Sequence, residues 1–295
     1  MIFKMSTIFL KSVWCPITLF LLLLSFPTFL KAQQPTAATF YDQALAYHDA
    51  KKYDQAIEYY SEVLNLEVNN LDALFNRALA YYELEKYNQS LIDLNQILEK
   101  DPTDLAAVEQ RGRIKYMLSD AKGAVEDYSR VLENEENGLF YVNRGLAQLK
   151  AAEYEKAMID FGKAIDEDPN AMEANVGMGD VQFELKKYKE ALIYYNQALS
   201  LNPKDARTLN NRGNTYQKMG MLDEALDDYN QALTINPNSY VYTNRAFYFF
   251  NQGELKQAQK VVKERHKWII ETPMPIFVWD KFIYNGKNMT KHWIT

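Results

Sequence analysis

The sequence has few of the residues from which most active sites are built. It contains one cysteine, Cys15, and three histidines, His48, His266 and His292. Beyond Cys15 the chain offers no thiol nucleophile, no disulfide and no sulfur ligand for a metal. The histidines are far apart, and no cluster with carboxylates has the spacing of a metal site. The sequence therefore predicts no catalytic residue, no metal site and no cofactor.

Glycine and basic residues are also too few for two further classes of function. With 11 glycines in 295 residues, the chain has no glycine-rich loop that could hold phosphate and no Gly-x-Ser-x-Gly motif. Lys and Arg total 33 against 39 Asp and Glu, a net charge of −6, and no basic stripe appears. This balance predicts that nucleic acid is not a partner.

The N-terminal segment is typical of an export signal. Lys4 and Lys11 precede an apolar run over residues 12–30, and Leu30-Lys31-Ala32 offers a cleavage site. We expect a signal peptide over 1–32, a short linker over 33–36, and export to the periplasm or outer surface of a bacterium. The alternative is an uncleaved membrane anchor, since the run is near the roughly 20 residues of a spanning helix. The membrane is a partner only in that case.

The rest of the chain is a tandem repeat with a period of 33 or 34 residues. Its clearest markers are Asn-Arg-Ala/Gly triplets beginning at Asn76, Asn143, Asn211 and Asn244. Seven units follow one another without a gap: 37–70, 71–104, 105–137, 138–171, 172–205, 206–238 and 239–272. Within each unit, apolar residues three or four apart predict two amphipathic helices. Prolines such as Pro102 and Pro203 mark the end of the second helix.

Three columns of residues predict how each helix pair packs. Two columns are small, with one member per repeat on each helix, and they let the two helices approach closely. The third column is large and fills the space around them, so we interpret it as core without functional weight. The small columns are Ala44, Ala78, Gly112, Gly145, Gly179, Gly213, Ala246 and Ala56, Ser90, Ala124, Ala157, Ala191, Ala225, Ala258, and the large column is Tyr60, Leu94, Tyr128, Phe161, Tyr195, Tyr229, Val262.

These columns and the terminal prolines resemble the tetratricopeptide repeat (TPR) family over residues 37–272. The tryptophan often found near the start of the first helix in that family is absent from every repeat here. The resemblance implies an all-α fold, a right-handed superhelical solenoid of seven helix-turn-helix units. It also implies that the first helices of successive repeats line a concave groove.

An arginine and an aspartate sixteen residues apart recur in four repeats, and the first and fifth repeats lack both. This joint presence predicts ion pairs between the two helices of one repeat; we expect half-exposed pairs, each worth on the order of 0–1 kcal/mol. Arg245 alone stands without such a partner. The predicted pairs are Arg77 with Asp93, Arg111 with Asp127, Arg144 with Asp160, and Arg212 with Asp228.

The implied groove is where a partner would bind. Its exposed columns include Val142, Val176 and Asn210. Its N-terminal half is rich in apolar side chains, which monomeric proteins rarely expose without a partner. The alternative is that some of these residues pack between repeats. The predicted partner-binding residues are Tyr41, Phe75, Asn76, Leu79, Tyr82, Asn143, Leu146, Asn211, Asn214 and Asn244.

The asparagine column formed by Asn76, Asn143, Asn211 and Asn244 could bind a peptide backbone, because an amide both donates and accepts hydrogen bonds. The column resembles the asparagine ladder in the repeat domain of O-linked N-acetylglucosamine transferases. The alternative is that these asparagines satisfy local backbone groups. The basic residues of the carboxylate clamp found in chaperone-binding members are missing.

The last segment, 273–295, is rich in aromatic residues, including Trp279 and Trp293, and we interpret it as a cap or a partner-docking tail. Together these features predict a non-enzymatic scaffold or adaptor that binds a protein or peptide in the cell envelope. The alternatives are a chaperone-like holder of extended chains and a regulatory subunit of an enzyme carried by another chain. The sequence does not fix the oligomeric state.

Overall fold

A computed structural model describes residues 35–271, and this range contains fourteen α-helices and no strand. The helices come in seven pairs, as the all-α repeat pattern predicts. In chain order, α1 to α14 are Ala37–Asp49, Tyr53–Leu66, Leu71–Glu83, Tyr87–Lys100, Leu105–Met117, Ala121–Leu132, Gly138–Lys150, Tyr154–Glu167, Met172–Glu184, Tyr188–Leu201, Ala206–Met219, Leu222–Ile235, Ser239–Asn251 and Leu255–Glu271.

Side-chain caps fix where most of the first helices begin. Asp205 accepts a hydrogen bond from the backbone N–H of Thr208 at 2.8 Å, and Asn238 accepts one from Val241 at 3.0 Å. Such caps satisfy backbone donors that have no partner within the helix. The fifth repeat differs, because Ala171 stands at this position and provides no side-chain cap.

The turn inside each helix pair is made by one residue in the left-handed backbone region. In the first five repeats this residue is not glycine, whereas Gly220 and Gly253 take the same position in the last two. A residue with a Cβ is sterically disfavoured in this region. The five non-glycine residues, with φ between 55° and 68°, are Lys51, Glu85, Ser119, Ala152 and Lys186.

The small columns pack against the large column. A Cβ built on Gly145 would lie 2.8 Å from Cε1 of Phe161, and one built on Gly177, in the next repeat, would lie 2.3 Å from its Cζ. Phe161 itself is fully buried. The glycines therefore create the space that the ring fills, within one repeat and between neighbouring repeats.

The large column is buried in six repeats but not in the seventh. Val262 is 38% exposed, so the prediction that it is a core residue is wrong. In the fourth repeat the equivalent side chain, Phe161, packs against the first helix of the following repeat. The described chain has no helix after α14 to cover Val262 in this way.

The described residues divide into two compact units, one up to residue 80 and one from residue 81, with the boundary inside α3. The described part of the first unit contains α1, α2 and most of α3. In the second unit, consecutive helices pack in sequence, and first helices of successive repeats also contact each other: α7 with α9, α9 with α11, and α11 with α13. These first helices therefore share one surface, which we call the first-helix face.

The predicted signal peptide and the aromatic tail lie outside the described residues, as do residues 33 and 34 of the linker. Among the helices of residues 35–271, none combines the length and the apolar character needed to cross a membrane.

Candidate polypeptide-binding cleft

The ten residues predicted to line a groove all lie on first helices, and every one is partly buried. They divide between the two units. Four belong to the first unit: Tyr41, Phe75, Asn76 and Leu79. Six belong to the second unit: Tyr82, Asn143, Leu146, Asn211, Asn214 and Asn244.

Two of the six, Asn214 and Asn244, line a cleft of about 320 Å³ on the first-helix face. The cleft lies where α9, α11 and α13 come together, and its last residue, Gln252, directly follows α13. Five amide side chains, two phenyl rings and one lysine form its wall: Asn214, Gln217, Asn244, Asn251, Gln252, Phe183, Phe247 and Lys218.

A buried tyrosine positions two of these amides from beneath. Tyr229, on α12, is fully buried, and its hydroxyl oxygen lies 2.6 Å from Asn214 Oδ1 and 2.9 Å from Gln217 Oε1. Burial raises the pKa of Tyr229, so the hydroxyl stays protonated. Its single proton is donated to one amide oxygen, and the other amide can turn its NH₂ group to the hydroxyl.

The asparagine column joins neighbouring repeats. Nδ2 of Asn211 donates to Oδ1 of Asp180 at 2.9 Å, and Nδ2 of Asn244 donates to Oδ1 of Asn210 at 2.9 Å. Each amide thus reaches the first helix of the preceding repeat. These bonds hold the side chains in fixed positions along the face.

Asp180 is the acidic residue of this network. Its Oδ1 accepts hydrogen bonds from the Tyr195 hydroxyl at 2.7 Å and from Asn211 at 2.9 Å. Burial raises the pKa of Asp180, and Glu184 acts in the same direction; the two hydrogen bonds and Arg207 act against it. The structure therefore holds a carboxyl group that is costly to ionise, three positions before the cleft residue Phe183 on the same helix.

The asparagine of the first unit has a more local role. Asn76 Nδ2 donates to the Tyr41 hydroxyl at 2.8 Å and to the carbonyl oxygen of Asp72 at 3.0 Å. Tyr41 also lines a separate small cleft of about 230 Å³ together with Asp42, Glu67 and Asp72. Asn76 therefore makes both kinds of contact: it satisfies a backbone carbonyl of its own helix, and it bonds a side chain of the preceding repeat.

Three residues assigned to exposed groove columns are buried. Val142 is 7% exposed, Val176 is 1% exposed and Asn210 is 1% exposed, so the expectation that they line the groove is wrong. Val176 belongs to a buried cluster with Tyr195, while Asn210 accepts the hydrogen bond from Asn244. Leu146 packs partly against the core around Phe161.

Arginine and aspartate side chains meet in a forked geometry in the third, fourth and sixth repeats. Arg144 donates from Nε and Nη2 to the two oxygens of Asp160 at 2.7 and 2.8 Å. The side chain of Asp160 is 2% exposed and that of Arg144 is 20% exposed. The acid is therefore buried, and the expectation of a half-exposed pair is wrong. Arg111 with Asp127 and Arg212 with Asp228 repeat this arrangement.

The same arginines reach the preceding repeat with their third nitrogen. Nη1 of Arg144 donates to Ser129 Oγ at 3.1 Å, and Nη1 of Arg212 donates to Asn196 Oδ1 at 2.8 Å. Arg77 likewise donates to Ser61 Oγ at 2.9 Å within the first unit, while Asp93 is buried in the second. Arg144 and Arg212 therefore each connect three helices.

The expectation that Arg245 stands alone is wrong. Its Nη2 lies 2.6 Å from Glu264 Oε2, and its Nη1 donates to Asn230 Oδ1 at 2.8 Å. The acid comes from nineteen positions later instead of sixteen. The sixteen-residue spacing of the other pairs therefore does not predict this partner.

Among residues 35–271, no group of three or more His, Cys, Asp or Glu side chains is arranged to hold a metal ion. The cleft is built from amides, aromatic rings and one lysine, which bind by hydrogen bonding, packing and charge. The arrangement can therefore hold a ligand.

Models of the tetratricopeptide repeat match residues 41–105, 140–171, 179–220 and 206–239. The chain belongs to the tetratricopeptide repeat family. A search of curated proteins found no match.

Solved structures show the same fold at low sequence identity. A tetratricopeptide repeat protein from Parabacteroides merdae ATCC 43184 is 20% identical, with a TM-score of 0.71 over 84% of this chain and 97% of that protein. MamA (residues 41 to the end) from Desulfovibrio magneticus RS-1 is 19% identical, with a TM-score of 0.55 over 57% of this chain and 96% of that one. A tetratricopeptide repeat protein of Thermus thermophilus is 20% identical, with a TM-score of 0.53 over 61% of this chain and 99% of that one.

Proposed function

We propose that this protein is an exported, non-catalytic scaffold that binds an extended polypeptide segment in the amide-lined cleft. The observation that carries the proposal is the composition of that cleft. Its wall combines five amide side chains with Phe183 and Phe247 in a space of about 320 Å³. Export rests on the N-terminal sequence pattern alone.

Amide side chains suit a polypeptide backbone. An extended segment presents one N–H and one C=O group per residue, and each amide can meet either group. The two phenyl rings offer apolar contact for ligand side chains between these polar groups. The volume is near the lower end of ligand pockets, about 300–1,000 Å³, so it suits a few residues of chain and not a folded domain.

The cleft is also fixed in position before any ligand arrives. Its residues lie on three packed helices, and Tyr229 holds Asn214 and Gln217 from below. Fixing side chains in advance lowers the entropy lost on binding. This support favours a binding site over an exposed polar surface.

Selection from a phage-displayed library of random dodecapeptides tests the proposal. We expect the protein to enrich peptides, and we expect the variant Asn214→Ala/Asn244→Ala to lose that enrichment. The control variant Gln197→Ala/Gln231→Ala removes two exposed amides from second helices and should bind as the unchanged protein does. Circular dichroism of each variant checks that it is folded.

The pattern of selected peptides separates two forms of the function. A shared motif would indicate an adaptor with a defined partner. Broad selection without a motif would indicate a holder of extended chains, which the amide-rich wall also supports because amides bind backbone groups of any sequence. If no peptide is enriched, or if the cleft variant retains the same peptides, the proposed binding site is wrong.

A further inference from the structure

The carboxyl group of Asp180 lies about one helical turn from residues that line the amide-lined cleft. On α9, Asp180 precedes the cleft residue Phe183 by three positions, which places both on one face of the helix. On α11, Asn211 bonds Asp180 and precedes the cleft residue Asn214 by the same interval. A polypeptide that extends from the cleft by one helical turn along this face would therefore reach the carboxyl group.

The carboxyl group has capacity for another partner. Both of its hydrogen bonds, from Tyr195 and Asn211, reach Oδ1. In the described part of the chain, no ion pair joins a Lys, Arg or His nitrogen to Asp180. Arg207 is nearby, but its guanidinium is bound to the carboxylate of Glu173. Oδ2 is thus available to accept a hydrogen bond.

The charges around Asp180 favour a cation. Glu184, on the same helix, adds negative charge, and Glu173 offsets Arg207. The other ionisable neighbours, Tyr195 and Tyr116, are tyrosines whose raised pKa values keep them neutral. A neutral ligand group would leave the carboxylate uncompensated in a shielded position, whereas a cation would pair with it.

We infer that Asp180 is the subsite for a basic side chain, lysine or arginine, of the polypeptide bound in the cleft. This inference rests on the proposed function and adds the chemistry of one ligand residue. Tyr195 and Asn211 position the carboxylate, and Oδ2 receives the ammonium or guanidinium group. The charge-assisted bond forms in a partly desolvated place, where it is stronger than on an open surface.

The dodecapeptide library tests the inference with three proteins. The unchanged protein should enrich peptides with lysine or arginine at one position of the alignment. Asp180→Asn should still select peptides but lose this preference, because the amide keeps the acceptor oxygen without the charge. Asp166→Asn removes one exposed negative charge from α8 and should keep the preference.

One selected peptide, synthesised with an acetylated N-terminus, provides the quantitative test. Replacing its basic residue by methionine should weaken binding to the unchanged protein by about tenfold or more, and binding to Asp180→Asn by much less. Acetylation removes the terminal amine as an alternative cation.

The outcomes separate the two proposals. If the unchanged protein selects peptides without a basic preference, or if Asp180→Asn keeps that preference, the inference is wrong and the proposed cleft function stands. If the methionine peptide binds equally well, the inference is also wrong. If the unchanged protein selects no peptide, the proposed function fails and the inference fails with it.

Discussion

Arg144 donates two parallel hydrogen bonds of 2.7 and 2.8 Å to the buried carboxylate of Asp160. Its third nitrogen donates to Ser129 of the preceding repeat. Because Asp160 is 2% exposed, the loss of Arg144 would leave a buried charge without a partner. We expect Arg144→Ala to lower the free energy of unfolding by about 3 kcal/mol. Urea unfolding measures this change.

A double-mutant cycle isolates the interaction. Arg144→Ala and Asp160→Ala together should show a coupling energy above about 1 kcal/mol. The matched control is the exposed pair Lys156 and Glu153, whose side chains are 65% and 31% exposed. Its coupling should stay below about 0.5 kcal/mol, as for other surface pairs that are close in sequence. Equal coupling in the two cycles would contradict the structural role of Arg144.

Ala152 occupies the left-handed turn of the fourth repeat with φ of 59°. Gly220 and Gly253 fill the same position in later repeats, without the steric cost of a Cβ. We expect Ala152→Gly to raise the free energy of unfolding by about 0.5–1 kcal/mol, despite the greater chain entropy of glycine. Thermal unfolding followed by circular dichroism measures the change.

The neighbouring residue provides the control for Ala152. Ala151 has φ of −80° and ψ of 0°, which suits a residue with a Cβ. Ala151→Gly should therefore destabilise the protein by about 0.5 kcal/mol. If the two glycine variants change stability in the same direction, backbone strain at Ala152 is not the cause.

Two glycines near Phe161 should respond to alanine in opposite ways. A Cβ at Gly145 would lie 2.8 Å from the buried ring, so Gly145→Ala should destabilise the protein by about 1–3 kcal/mol. A Cβ at Gly162 would meet nothing within 4 Å, and its position inside α8 favours alanine. Gly162→Ala should stabilise by about 0.5–1 kcal/mol. Urea unfolding of both variants checks the prediction; a neutral Gly145→Ala would show that the interface adjusts.

The fold could be predicted from the sequence because its signals are local and recur seven times. The small residues, the prolines and the apolar periodicity each act within one helix pair. The structure of a repeat can therefore be predicted from the sequence of that repeat alone. The burial of individual residues could be predicted less well from the repeat columns. Val176 and Asn210 stand on first helices like Tyr41, but helical periodicity does not reveal which residues a neighbouring repeat covers.

The cleft could be predicted only in part. Asn244 belongs to the asparagine column that recurs with the period, and Asn214 lies in another column on the same helices, whereas no recurring signal marks Asn251 and Gln252. Tyr229 and Tyr195 were assigned to the core alone, yet their hydroxyls reach the amides and Asp180 on the first helices. The hydroxyl group itself indicates this role, because a buried hydroxyl needs a hydrogen-bond partner, whereas Phe161 and Leu94 in the same column have no hydroxyl.

Export leads to a prediction about the N-terminus. Expressed whole in a bacterium, the protein should appear in the envelope fraction with Gln33 as its first residue, because Ala32 offers a small residue at the cleavage site. Mass spectrometry of the purified protein measures this. Ala32→Trp should block cleavage and keep the chain in the membrane fraction. An uncleaved chain in that fraction without the substitution would favour the anchor.

Asp180 gives a prediction about pH. Its pKa is raised in the folded state, chiefly by burial, so the folded protein binds the proton more tightly than the unfolded chain does. The contribution of this group to stability must therefore fall as the pH rises above the ordinary aspartate pKa of about 3.9. Asp180→Asn keeps an acceptor oxygen for Tyr195 and Asn211 but has no charge to bury. We expect the variant to match the unchanged protein near pH 4 and to become progressively more stable than it toward pH 7, as urea unfolding across this range would show.

Asp166→Asn, an exposed control, should show no such trend. If Asp180→Asn lost stability at pH 7, the carboxylate would be stabilising the fold by itself, and a ligand cation would not be needed to account for its presence near the cleft.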